Sequence, residues 1–128
     1  MEHVNNEPLI AAHLHGPGYF GKMALGKGYY LPGSTDFSDS YHVYAVEWEP
    51  DTMRFCVDNH LYYTMSASDL PPGRTWVYDH PFYILLNLAV GGDWPGAPDG
   101  TTAFPQVMNV DYVRVYIHTD WTFTRHRA

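Results

Sequence analysis

The sequence predicts an all-β chain, an antiparallel sandwich or barrel, on three observations. No stretch of its 128 residues holds a helical apolar period for three turns. Ten prolines and eleven glycines interrupt it at short intervals, which suits many short strands joined by turns. The segments between those interruptions alternate faces or run apolar, and they are rich in β-branched and aromatic residues. At this length the chain is one domain at most.

The elements follow in order. PLIAAHLH (8–15) is apolar and then alternates, so it reads as a strand. GPGYFGKMALGKGYYLPG is a long glycine-rich connection with room for a short strand near Tyr29–Leu31. YHVYAVEW (41–48) alternates faces, with Trp48 expected in the core. MRFCVDNHLYYTM (53–65) reads as a β-hairpin with Asp58 and Asn59 at its tip, since Asp and Asn tolerate left-handed turn geometry. SASDLPPG (66–73) offers one helical turn at most, stopped by Pro71 and Pro72.

FYILLNLAV (82–90) is nearly continuous apolar sequence, the signature of a central strand covered on both faces. Ile84, Leu86, Leu88 and Val90 share one face; Tyr83, Leu85, Asn87 and Ala89 share the other. VMNVDYVRVYI (107–117) is expected as a last strand, and the tail from 118 to 128 loses the pattern.

Composition narrows the function classes. Fourteen acidic residues against seven Lys and Arg give a net charge of −7, so there is no basic stripe to neutralise phosphates. Nucleic acid and an anionic membrane surface are excluded as partners, and a neutral polymer is compatible. Aromatic residues make up 16% of the chain, enough for a β-rich core or for a platform that stacks sugar rings. Cys56 is the single cysteine, so no internal disulfide forms; its alternating context, MRFCVD, makes it a small buried hydrophobe rather than a reactive thiol. The chain shows no signal peptide and no long apolar run.

Three places could carry chemistry. Glycosidic bonds are cleaved by paired carboxyl groups, and Glu2 could be one of them, although a Glu beside an amino end is ordinarily a solvated residue. His13 and His15 lie two apart on a strand and face the same way. They could share a metal, bond within a polar groove, or simply be exposed. GGDWPGAPDG (91–100) holds Trp94 on a glycine- and proline-shaped loop, either as a sugar-stacking surface or as a cap on the sandwich edge.

Five stretches, taken together and in order, carry a resemblance: MEHVNNEP, LHGPGYFG, YHVYAVEWEPDTMRFCVDNHLYY, the region from DLPPG through TWVYDHPFYILLNLAVGGDWPG, and FPQVMNVDYVRVY. Over residues 1 to about 117 the chain resembles the carboxyl-terminal half of glycoside hydrolase family 16, in particular the laminarinase-like endo-β-1,3-glucanases. The resemblance implies a jelly-roll sandwich whose concave face is an open cleft, and a retaining mechanism through a covalent glycosyl-enzyme. Met1-Glu2 lines up with the end of the family's E-x-D-x-x-E signature, so Glu2 inherits the acid/base role. The nucleophile and intervening Asp of that signature would precede residue 1.

His15, Tyr44, Asn87 and Trp94 match cleft-facing, substrate-binding positions, and Asp111 resembles a calcium ligand of some members. No cofactor is required, and Asp111 could hold a structural calcium or be a surface residue on an outer strand. The expected partner is a β-glucan polysaccharide, acted on by an enzyme or, alternatively, held by a non-catalytic carbohydrate-binding fragment; a fragment without function is the third reading. A retaining hydrolase needs both carboxyls, so the chain by itself is expected to be inactive. It is also expected to self-associate or to pair with the amino-terminal half. Family members are typically secreted.

Overall fold

The computed structural model describes residues 1–4, 7–34 and 36–117; the patternless tail from 118 to 128 lies outside the described residues. Among the described residues, six strands form two antiparallel three-stranded sheets. The first sheet holds β1 (Glu2–His3), β2 (Leu9–Leu14) and β3 (Leu25–Tyr30), with β2 in the middle. The second holds β4 (Tyr44–Glu49), β5 (Thr52–Val57) and β6 (His60–Ser66), with β5 in the middle. The all-β, antiparallel expectation is met.

The period-two pattern of LIAAHL decides which face of the first sheet is covered. Ile10, Ala12 and Leu14 point inward and are buried, meeting Phe55, Val57, Tyr62 and Met65 from the second sheet. Tyr19 and Phe37 close this core from the connections. Each large side chain so buried contributes roughly 1.5–3 kcal/mol. The opposite face of the first sheet carries Glu2 and His13, and with them Ala11, which is buried as well.

The hairpin forms as the sequence predicts. Asp58 and Asn59 take φ values of 49° and 66°, the left-handed pair a tight two-residue turn needs. Asp58 then ties the tip to the start of β4. Its carboxylate accepts from the Val43 amide at 2.9 Å and pairs with His42 Nδ1 at 2.6 Å. Burial pushes against its ionised form, yet these two bonds outweigh that and hold its carboxyl below the usual range. The expected single turn is a 3-10 helix, Ala67–Asp69.

Four expectations are corrected. The connection's strand is longer than Tyr29–Leu31: β3 pairs with β2 residue for residue from Leu25 to Tyr30, because a paired neighbour keeps Gly26 and Gly28 in a strand their propensity would not favour. FYILLNLAV and VMNVDYVRVYI join no ladder, and both faces of the former are open, with Leu85 74% and Leu86 56% exposed. A strand exists through its neighbour, and neither segment has one among the described residues. Trp48 is 42% exposed rather than in the core; its indole donates to the Tyr78 carbonyl at 2.6 Å and meets Phe82 edge-on. Cys56 is half-buried rather than buried, and burial pushes its thiol up, away from reactivity.

Candidate functional site

Register places the carboxyl and the imidazole together. Glu2 pairs with Ala11, so its side chain and that of His13, two residues on, stand on the same outer face of the sheet. His13 Nδ1 lies 2.5 Å from Glu2 Oε2. Glu2 is exposed, with 52% of its side chain open to solvent, and this contact nonetheless holds it against the imidazole. His13 in turn pairs with Gly26, and its ring occupies the space over that glycine. A Cβ at position 26 would lie 2.3 Å from His13 Cδ2 and equally close to the Ala12 carbonyl. Glycine at 26 is the seat of the imidazole.

A loop supplies the other wall. Gly92 and Gly96 exchange backbone hydrogen bonds of 3.0 and 2.9 Å, closing a five-residue loop that presents Asp93 and Trp94. Gly92 has φ 140° and Gly96 φ 87°, conformations that side chains resist. Trp94 meets His13 edge-on, with ring centroids 5.8 Å apart. Glu2, His13, His15, Lys22, Asp93 and Trp94 line an open cleft of about 480 Å³, within the range of small-ligand sites.

His15 sits at the mouth of the cleft, exposed, 6.2 Å from His13 between ring centroids. Its backbone is clamped: its amide donates to Tyr78 Oη at 2.6 Å, and that hydroxyl donates to the His15 carbonyl at 2.7 Å. Burial raises the Tyr78 phenol despite the opposing bond to His15, so it stays a protonated donor.

The structure thus gathers Glu2, His15 and Trp94 of the predicted residues. It does not gather the others with them. Tyr44 lies on the second sheet among Phe37 and His42. Asn87 is exposed on the unpaired 82–90 segment. Asp111 lies on the unpaired 107–117 segment, and among the described residues no group of three or more His, Cys, Asp or Glu side chains is gathered to hold a metal ion. His13 and His15 share no such group, so of the three readings of that pair, bonding within a groove describes His13. Sequence reasoning missed His13 as the partner of Glu2, and Lys22, Asp93 and Tyr78 altogether. The His13–Glu2 contact needed the register between β1 and β2, which no local pattern states.

A carboxyl bonded to an imidazole, open to a cleft with an indole wall, can donate or accept a proton beside a ring-shaped neutral ligand. The sequence pattern of glycosyl hydrolases family 16 matches residues 4–114. A beta-glucanase of Rhodothermus marinus is 38% identical over 122 residues, covering 91% of this chain and 42% of that protein. Among solved structures, the endo-beta-1,3-glucanase of Pyrococcus furiosus superposes with a TM-score of 0.72 at 43% identity, over 78% of this chain and 39% of that one. The catalytic domain of a laminarinase from Thermotoga petrophila gives 0.71 at 44% identity, over 78% and 40%. The chain therefore spans about two fifths of the length of these relatives.

Proposed function

Since the chain belongs to glycosyl hydrolases family 16, we propose that it carries the proton-transfer side of a β-1,3-glucan-cleaving site, with Glu2 as acid/base. The observation that supports this most is the shared cleft of Glu2, His13 and Trp94. In this reading a glucosyl unit stacks on Trp94. Glu2 gives its proton to the glycosidic oxygen as the C1–O bond breaks, while a carboxylate on the other side of the sugar bonds to C1. Water then attacks C1, Glu2 takes its proton, and the ester to the second carboxylate breaks.

That second carboxylate must stand about 5–5.5 Å from the first. It is proposed to come from polypeptide beyond this chain, together with the strands that cover segments 82–90 and 107–117. The chain by itself is then a β-glucan-binding piece without turnover. His15 and Trp94 hold sugar, and Tyr44 and Asn87 reach it only once those strands are in place.

The test is reducing-sugar release from laminarin. The chain is assayed alone and mixed with the portion of the Thermotoga petrophila laminarinase domain that it does not cover. No release alone, release on mixing, and loss of that release with Glu2→Gln are expected. Release by the isolated chain refutes the missing-carboxyl reading, and undiminished release with Glu2→Gln removes Glu2 from the reaction.

A further inference from the structure

His13 is specified more tightly than any exposed histidine needs to be. Three independent features hold its ring: the glycine seat at 26, the 2.5 Å contact of Nδ1 with Glu2 Oε2, and the edge of Trp94 at 5.8 Å. Its other nitrogen, Nε2, has no hydrogen-bond partner among the described residues, and the ring lines the cleft. With Glu2 in the ionised form, the one it holds after giving up its proton, the carboxylate can only accept, and Nδ1 is then the nitrogen that donates to it. In neutral imidazole that leaves Nε2 bare, an acceptor facing a site whose neighbouring charged groups are Glu2, Lys22 and Asp93.

From this geometry we infer that His13 is a positioning and specificity residue. Held by Glu2 with its proton on Nδ1, it fixes the direction of the Glu2 carboxyl and offers Nε2 to accept a hydrogen bond from a hydroxyl of the sugar stacked on Trp94. The inference rests on the glucan reading for its ligand, but the proton arrangement does not depend on any ligand. A site built to hydrogen-bond a hydroxyl discriminates strongly against analogues lacking it. His13 thereby selects a hydroxyl-bearing ring over an apolar or deoxygenated one of the same shape.

The test uses the full chain labelled with 15N-histidine, with long-range proton–nitrogen spectra recorded at mildly alkaline pH. His13 is expected with its proton on Nδ1, opposite to the Nε2 preference of free histidine, and to lose that state in Glu2→Ala. Laminaripentaose is then expected to move the Nε2 resonance. His13→Ala should weaken laminaripentaose binding about five- to tenfold, the worth of one well-made hydrogen bond. His13→Gln, whose amide can donate and accept, should recover most of it. A proton on Nε2 in the unaltered chain, or a tautomer indifferent to Glu2→Ala, overturns the inference. If the tautomer is as expected while laminaripentaose moves the Trp94 indole but not Nε2, the acceptor role is refuted. If neither moves, the glucan reading fails while the Glu2–His13 arrangement stands.

Discussion

Replacing Leu85 with lysine separates what segment 82–90 does in the isolated chain from what it would do in an assembled domain. Leu85 is 74% exposed, so about a quarter of it is shielded from water. Burying a whole leucine is worth roughly 1.5–3 kcal/mol, and a quarter of that is about 0.5 kcal/mol. Urea unfolding of the isolated chain should therefore change by no more than about 0.5 kcal/mol on Leu85→Lys. The same side chain covered by neighbouring strands would be desolvated in full. Lysine there forfeits about 2–3 kcal/mol of burial and adds the cost of an ammonium out of water.

Pairing with the complementary laminarinase portion, followed by calorimetric titration, should weaken by at least 30-fold or so. Large apolar residues stand exposed along both unpaired segments, from Phe82 to Val90 and from Val107 to Ile117. At an order of 100 Å² each they far exceed the few hundred Å² an ordinary monomer leaves open. Self-association of the unaltered chain, seen by sedimentation, should fall with Leu85→Lys for the same reason. A loss above about 1.5 kcal/mol in the isolated chain would show that the segment is already packed. Pairing that ignores the substitution would show that it is not the docking surface.

Two further outcomes follow from buried and paired polar groups. Tyr62 Oη is buried without a partner, while its ring stacks on Tyr29 at 5.5 Å. Tyr62→Phe keeps the stack and removes the orphaned hydroxyl, so thermal unfolding should show a gain of about 1 kcal/mol; a loss of that size would mean the hydroxyl is satisfied in solution. Burial pushes the Tyr62 phenol up to about 12. As pH rises from the unfolded value near 10 to that value, the unfolded phenol ionises and the folded one does not, so the tyrosine protein loses stability and the advantage of Tyr62→Phe should widen in that window. Asp58 behaves oppositely: its lowered folded value means its contribution is present above the ordinary carboxylate range and is lost as pH falls through the folded value. Asp58→Asn, which tolerates the left-handed turn, should cost about 1 kcal/mol at neutral pH and nothing in strong acid. A cost that persists in acid would assign the effect to the turn and not to the charge.

Much of the fold was legible in the residues. LIAAHL, apolar and then alternating, announces a strand with its core face at Ile10, Ala12 and Leu14, and Asp58-Asn59 announces the hairpin because few residue pairs accept that backbone. FYILLNLAV and VMNVDYVRVYI were equally clear as apolar extended sequence, yet their pairing was not, since a ladder belongs to two segments and the pattern of one cannot supply the other. Trp48 misled for a related reason: its burial depended on how β4 meets Tyr78 and Phe82, and not on its own hydrophobicity.

By itself, the sequence determined the chemistry on offer here: a carboxyl at residue 2, imidazoles at 13 and 15, an indole on a glycine-shaped loop, and a charge that turns away polyanions. Only the tertiary structure decided which of them meet. Glu2 reaches His13 because β1 and β2 pair in one register, and a shift of one residue would send both to opposite faces. Side-chain identity is written locally along the chain, whereas proximity comes from hydrogen-bonded neighbours far apart in it.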